Sequence, residues 1–227
     1  RDKLIKSLLE NKALTFLYAE LFVKNNLLDI ELKLFDEIIL KNDLKIKKYR
    51  IENGFHYGVS NVTPGSGYID IFKNKLFLIS SRGIISFADL NNFKDSITFK
   101  QIKNNIDEFI SFDQFKKGPD NRKWFSLKDV SVIENNIFIS YTEELKEDCW
   151  NTSIIASPIN FQKLTFKKVF SSFQCVSSVD NIDNEFAGGI SGGRIVKYDS
   201  ESILLTVGDY WSRHLAQNPK SINGKVL

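Results

Sequence analysis

One unit of sequence recurs three times in this chain, and few folds can accommodate it. I-D-I-F-K-N-K-L-F-L-I over residues 69–79 is an apolar strand, a polar turn and a second strand. V-S-V-I-E-N-N-I-F-I-S over 130–140 repeats the pattern, and so does R-I-V-K-Y-D-S-E-S-I-L-L-T over 194–206. Equivalent positions are Leu76, Ile137 and Ile203, so the unit returns after 61 and then 66 residues. Further strand-like runs follow each hairpin: 84–87 and 97–102 in the first unit, 153–157 and 164–170 in the second. A small antiparallel sheet cannot bury both faces alone, so such sheets stack on one another around an axis. The spacing exceeds the roughly 40 to 50 residues of common propeller blades, which asks for long loops between strands. Many short strands also suit a β-sandwich; the repeat favours an all-β, partial β-propeller of about three blades.

Before the repeat the pattern is different. Leu4, Ile5, Leu8 and Leu9 recur at helical spacing, as do Leu17, Leu21 and Phe22. No Gly or Pro interrupts residues 1–48, Asn25-Asn26 marks a break, and a second helix is expected over about 28–40. The segment reads as a helical cap on the domain behind it, ahead of a tether or a partner-binding helix. We therefore divide the chain into a helical segment, 1–48, and a propeller half, 49–227. Pro64-Gly65-Ser66-Gly67 is a turn, and Lys117-Gly118-Pro119-Asp120-Asn121 sits in a loop between the first two sheets.

Composition narrows the function. The 31 basic and 28 acidic residues nearly balance, which argues against nucleic acid as a partner, since that calls for a concentrated basic face. No apolar run is long enough to cross a bilayer as a helix. Arg1 opens the chain, Met is absent and the last residue falls in a strand-like run. We read the sequence as a piece of a longer protein. Cys149 and Cys175 match neither a zinc nor a redox motif; as a disulfide they would contribute about 3 to 4 kcal/mol, and the alternative is two buried thiols. No phosphate-binding loop, HExxH or GxSxG is present. The sequons at Asn61 and Asn151 read as chance. Only two histidines occur, His56 and His214. His56 lies in a Gly-flanked segment and reads as structural.

The last forty residues carry the chemistry. Two glycine pairs precede Arg194, and a strand over 203–207 ends at Gly208-Asp209, placing a carboxylate where loops can build a site. Glycines there allow a sharp turn or a close approach of the backbone. G-G-R-I-V, L-L-T-V-G-D and A-Q-N-P-K-S-I-N-G-K-V-L, in this order and spacing, resemble the glucose/sorbosone dehydrogenase family. Residues 68–88, with S-R-G-I-I-S, and 125–142, ending N-N-I-F-I-S-Y-T, resemble the first two blades of that family more loosely. The resemblance implies a six-bladed propeller that oxidises an aldose with pyrroloquinoline quinone (PQQ) and calcium, and export to a periplasmic or extracellular compartment. It thereby tips the cysteines toward a disulfide.

The resemblance also implies site residues. Arg194, with Gly192 and Gly193, falls where the family holds the cofactor. Asp209 falls where the family orients an imidazole base, but the base position, four residues before Arg194, is Ile190. Isoleucine accepts no proton, and no His lies between Val176 and Arg213. His214, close to Asp209, Tyr210 and Trp211, is the candidate substitute; an ordinary surface loop is the competing account. Two functions remain: a quinoprotein sugar dehydrogenase impaired at its base, or a non-catalytic propeller that binds a sugar or a partner.

Overall fold

The computed structural model describes residues 18–40, 44–51, 67–110 and 127–227. The part of the expected first helix over 1–17, His56, the sequon at Asn61 and the Lys117–Asn121 turn lie outside the described residues, as does most of the Pro64–Gly67 turn.

Three antiparallel sheets follow one another along the chain. The first is a meander of β3 (Gly67–Phe72), β4 (Lys75–Ser80), β5 (Ile85–Asp89) and β6 (Ser96–Gln101), extended at its outer edge by β1 (Ile30–Ile39) and β2 (Lys45–Ile51). The second contains β7 (Leu127–Ile133), β8 (Asn136–Lys146), β9 (Cys149–Pro158) and β10 (Lys167–Phe170). The third contains β11 (Gly192–Lys197), β12 (Ile203–Val207) and β13 (Lys225–Val226). The leading strands meet: β7 touches β3 on one side and β11 on the other. Sheets of up-and-down strands packed face to face with their first strands together form consecutive blades of a propeller. The described residues are thus part of a β-propeller, and Leu76, Ile137 and Ile203 lie on the matching second strands β4, β8 and β12.

Strand alternation explains the packing. On β4, Phe77 and Ile79 point into a core shared with Ile137, Ile139 and Tyr141 of β8. On the opposite face of the second sheet, Phe138 and Ile154 pack with Ile195, Leu205 and Val207 of the third. Each fully buried side chain of this size contributes about 1.5 to 3 kcal/mol. Leu76 and Leu78 turn the other way, toward Val23 and Ile30. The N-terminal segment therefore covers the face of the first sheet that, in the next two, is covered by the preceding blade.

That cover is only partly helical. Residues 18–25 are helical, but the helix expected over 28–40 is strand β1, paired with β6 through Ile30↔Phe99 and Leu32↔Ile97. I-E-L-K-L alternates apolar and polar residues, and the burial of β1 follows the same period of two. Freedom from Gly and Pro permits a helix but does not require one, and the unpaired edge of β6 offered the backbone hydrogen bonds. Helix 18–25 is held by polar groups. Gln101 Nε2 donates to the Val23 carbonyl at 3.0 Å, and Lys24 Nζ donates to Asp107 Oδ1 at 2.6 Å. Glu20, 3% exposed, faces the Arg82 Nε at 3.8 Å.

Cys149 and Cys175 form a disulfide with Cα atoms 5.1 Å apart. It fastens the loop after β10 to the start of β9. The chain-entropy estimate for a separation of 26 residues is about 3.5 kcal/mol. Replacing both cysteines by alanine is expected to lower unfolding stability by about that amount, read from urea denaturation.

Burial raises the Glu20 pKa to about 6, against a partial offset from Arg82. A raised pKa means that the folded state disfavours the carboxylate, so the contribution is full below pH 4.5 and is lost as pH rises through about 6. Roughly 2 kcal/mol should disappear over that window. Glu20→Gln should remove this fall; denaturation midpoints of wild type and variant at pH 4.5 and 7 should diverge accordingly.

Candidate functional site

The glycine-rich run and the end of β12 build one corner. Gly188–Ile190 is a single 3₁₀ turn, followed by Ser191 and a bulge as β11 enters the sheet. Gly208 N donates to the Ser191 carbonyl at 2.8 Å, Tyr210 N to the Ile190 carbonyl at 3.4 Å, and Ala187 N to the Tyr210 carbonyl at 3.0 Å. Asp209 is thus held against the turn that carries Ile190 through both of its neighbours. Contact is so close that a Cβ on Gly208 would lie 1.9 Å from the Ile190 carbonyl oxygen.

Asp209 is half-buried and its Oδ1 accepts from Trp211 N at 3.0 Å. Tyr210 and Trp211 both adopt positive φ, 55° and 69°. Consecutive left-handed residues without glycine are strained. The strain turns Tyr210 inward, where it is fully buried and its hydroxyl lies 3.1 Å from Thr152 Oγ1, and leaves Trp211 at the surface, 42% exposed. Ile190 is exposed to the same extent. The corner therefore presents a carboxylate, an indole and an isoleucine.

The other sequence-selected residues fall as follows. Arg194 projects outward from β11, and its Nη1 lies 3.3 Å from Asp129 Oδ1 on β7. Burial raises the pKa of Asp129, while its second oxygen is engaged by Ile195 N at 2.8 Å. At Gly192 and Gly193 the protein itself fills the room a side chain would take. A Cβ on Gly193 would meet Lys128 Cβ at 2.4 Å, and one on Gly192 would meet the Thr206 carbonyl at 2.7 Å. His214 sits on a short helix, Arg213–Gln217, with Nδ1 2.7 Å from Asp183 Oδ2. The imidazole hydrogen bond holds the Asp183 carboxyl below its usual range. Arg213 pairs with Glu185 at 2.8 Å, so an ion pair and an imidazole–carboxylate hydrogen bond clamp this helix to the loop before the glycine run. The carboxylate partner of His214 is Asp183, not Asp209.

Lys128 was not among the expected residues. It lies on β7, the first strand of the second hairpin, with its Cβ against Gly193 and its Nζ donating to the Gly188 carbonyl at 3.2 Å. Its side chain runs along the glycine-rich turn. Burial pulls the amine down to about 8. The available signal was L-K-D-V-S-V, two charged residues at the head of an otherwise apolar inner strand. Asp183 had no local signal, because its meeting with His214 depends on the fold of two loops.

No family model matches the chain, and no curated protein matches it. Among solved structures it is similar to two of glucose dehydrogenase, each at 13% identity and a TM-score of 0.48. It is also similar to the apo-form soluble aldose sugar dehydrogenase of Escherichia coli, at 15% identity and a TM-score of 0.46. Each likeness covers 71% of this chain. The chain spans less than half of each of these proteins: 43%, 46% and 42%.

Among the described residues no three His, Cys, Asp or Glu side chains stand together to hold a metal ion. No helix among them is long and apolar enough to cross a membrane.

The close approach at Gly208 makes a direct prediction. Gly208→Ala should cost about 3 kcal/mol, the upper end of what overpacking usually costs, because the clash is with backbone. Gly189, which has nothing within 4 Å of an added Cβ, is the control: Gly189→Ala should change stability by no more than about 0.5 kcal/mol. Paired urea titrations check both.

Proposed function

We propose that the corner around Asp209 binds a sugar, and that the chain is part of a quinoprotein aldose dehydrogenase-like protein impaired at its base. The observation that carries this reading is the contact between the Gly208–Tyr210 turn and the Gly188–Ile190 turn. It sets an acceptor carboxylate next to the position where the resembled family has its imidazole. Trp211 adds an exposed indole. An aromatic face with a nearby hydrogen-bond acceptor suits a ring that is apolar on its C–H face and polar at its hydroxyls.

On this reading Arg194, which meets Asp129 at 3.3 Å, would hold a carboxylate of PQQ, and the quinone when bound would supply the hydride acceptor. Gly192 and Gly193 then serve by shaping the backbone beneath Arg194, since their own side-chain space is filled. No calcium ligand is assigned. The disulfide supports an extracytoplasmic location, periplasmic or secreted, because such bonds persist in oxidising compartments. Ile190 favours a second reading, a propeller that binds the sugar without turning it over.

The test is dye reduction with glucose, on protein supplied with PQQ and calcium. Wild type should be slow. Ile190→His should gain about 10² to 10⁴-fold, the usual worth of general-base help. A variant as inert as wild type, with glucose still bound, would leave the non-catalytic reading. Robust wild-type turnover lost in His214→Ala would make His214 the base and overturn the proposal.

A further inference from the structure

We propose that the free end of the β1–β2 ribbon docks on the surface of an anionic lipid bilayer. Strand pairing places it. β1 meets β6 from Ile30↔Phe99 to Lys33↔Ser96, while its pairing with β2 runs on to Ile39↔Lys45. Beyond residue 34 the two strands therefore leave the first blade as a ribbon of their own. In an up-and-down meander β6 begins at the end where β3 turns into β4, the end that also carries the β7–β8 and β11–β12 turns. The Asp209 corner follows β12 at the opposite end. A two-stranded ribbon is marginal in water unless something covers its apolar side chains. This one exposes them where it is least supported: Ile39 is 65% and Leu44 59% exposed, and Leu40 and Ile46 are exposed with them.

Shape and charge select the occupant. Successive side chains of a strand face opposite ways, so Ile39 lies on one face of the ribbon, and Ile38 with its cross-strand partner Ile46 on the other. A flat protein surface would cover one of these faces; a bilayer receives the end from all sides. Four of the seven residues of β2 are basic, Lys45, Lys47, Lys48 and Arg50. Across from them on β1, Asp36 pairs with Lys48 at 2.9 Å, and Glu37 is shared by Lys45 at 3.9 Å and Lys47 at 3.8 Å. Positive charge is thus in excess beside the aliphatic end. There the lysine stems can lie along apolar surface with their ammonium groups at lipid phosphates. The same lysines oppose a second copy of the chain, because edge-to-edge pairing would set one basic strand against another. Docked by this end, the protein turns its Asp209 corner away from the bilayer.

The test is sedimentation of the full protein with phosphatidylcholine vesicles, with and without phosphatidylglycerol. Wild type should partition onto the anionic vesicles at least about tenfold more strongly than onto the neutral ones, and added salt should release it. Joint replacement Ile39→Ser and Leu44→Ser should lower partitioning onto the anionic vesicles at least about tenfold. Lys45→Gln with Lys47→Gln should lower it about tenfold there, with little change on neutral vesicles. Phe173, 85% exposed on the loop after β10 at the Asp209 end, supplies the control: Phe173→Ser should bind as wild type does. Binding indifferent to phosphatidylglycerol, serine variants that bind like wild type, or an equal loss in Phe173→Ser would each overturn the proposal. So would a wild-type dimer that the serine variants disperse, with no vesicle binding by either, which would give the ribbon to a second copy.

Discussion

The stacking of the blades depends on a carboxylate that reaches from one leading strand to the next. Asp70 on β3 accepts from Val132 N on β7 at 2.6 Å, and Asp129 on β7 accepts from Ile195 N on β11 at 2.8 Å. The leading strands are not hydrogen-bonded to each other as a sheet, so their backbone N–H groups need partners elsewhere. A carboxylate is a strong acceptor for such a donor. The two bonds fix the rotation of each blade about the next, and the apolar faces on either side of β8 then meet in register. Hydrophobic burial supplies most of the stabilisation, but it is non-directional. Asp70 and Asp129 add directional contacts between the leading strands.

The same strand pair sets the corner. Asp129 holds β11 by Ile195, which brings Gly193 onto the Lys128 Cβ and under the Ser140 hydroxyl, whose proton goes to the Gly193 carbonyl. A residue larger than glycine at 193 would push β11 off β7 and break the latch. From Gly193 back to Gly188 the chain has little choice of path. It runs over Lys128, accepts its ammonium at Gly188, and receives Gly208 and Tyr210 from the end of β12. The candidate site is in this sense a by-product of blade packing, with Asp209 and Ile190 placed by contacts made for the fold.

Sequence carried the repeat well, because strand–turn–strand units with period-two burial are local features. The hairpins β3–β4, β7–β8 and β11–β12 could be read from their turns alone. It carried the glycine run and Asp209 as neighbours for the same reason: one hairpin separates them. It misled at β1, where freedom from Gly and Pro suited a helix and the edge of β6, some sixty residues away, decided for a strand. It was silent on Lys128 and Asp183. Lys128 meets the glycine run across two blades, and His214 meets Asp183 across two loops; neither distance is encoded in spacing. The disulfide fell between these cases, since the cysteines were visible but their pairing followed from the family resemblance.

The strain at Tyr210 and Trp211 shows how the corner is kept in place. Two non-glycine residues at positive φ cost on the order of 1 to 3 kcal/mol each, and a free loop would relax. Tyr210 is held by full burial, worth about 2 to 3 kcal/mol, by its hydroxyl on Thr152, and by stacking on Phe186 at 5.6 Å. Phe186 in turn lies 6.5 Å from Trp150, whose neighbour Cys149 is tied to Cys175. A line of contacts thus runs from the disulfide through two aromatic pairs to the turn that presents Asp209. Those terms roughly match the strain, so the turn is held with little margin. Each link in that line adds to the backbone bonds at Ile190 and Ala187 that hold Tyr210 in place, and through Tyr210 it steadies Asp209 against Ile190.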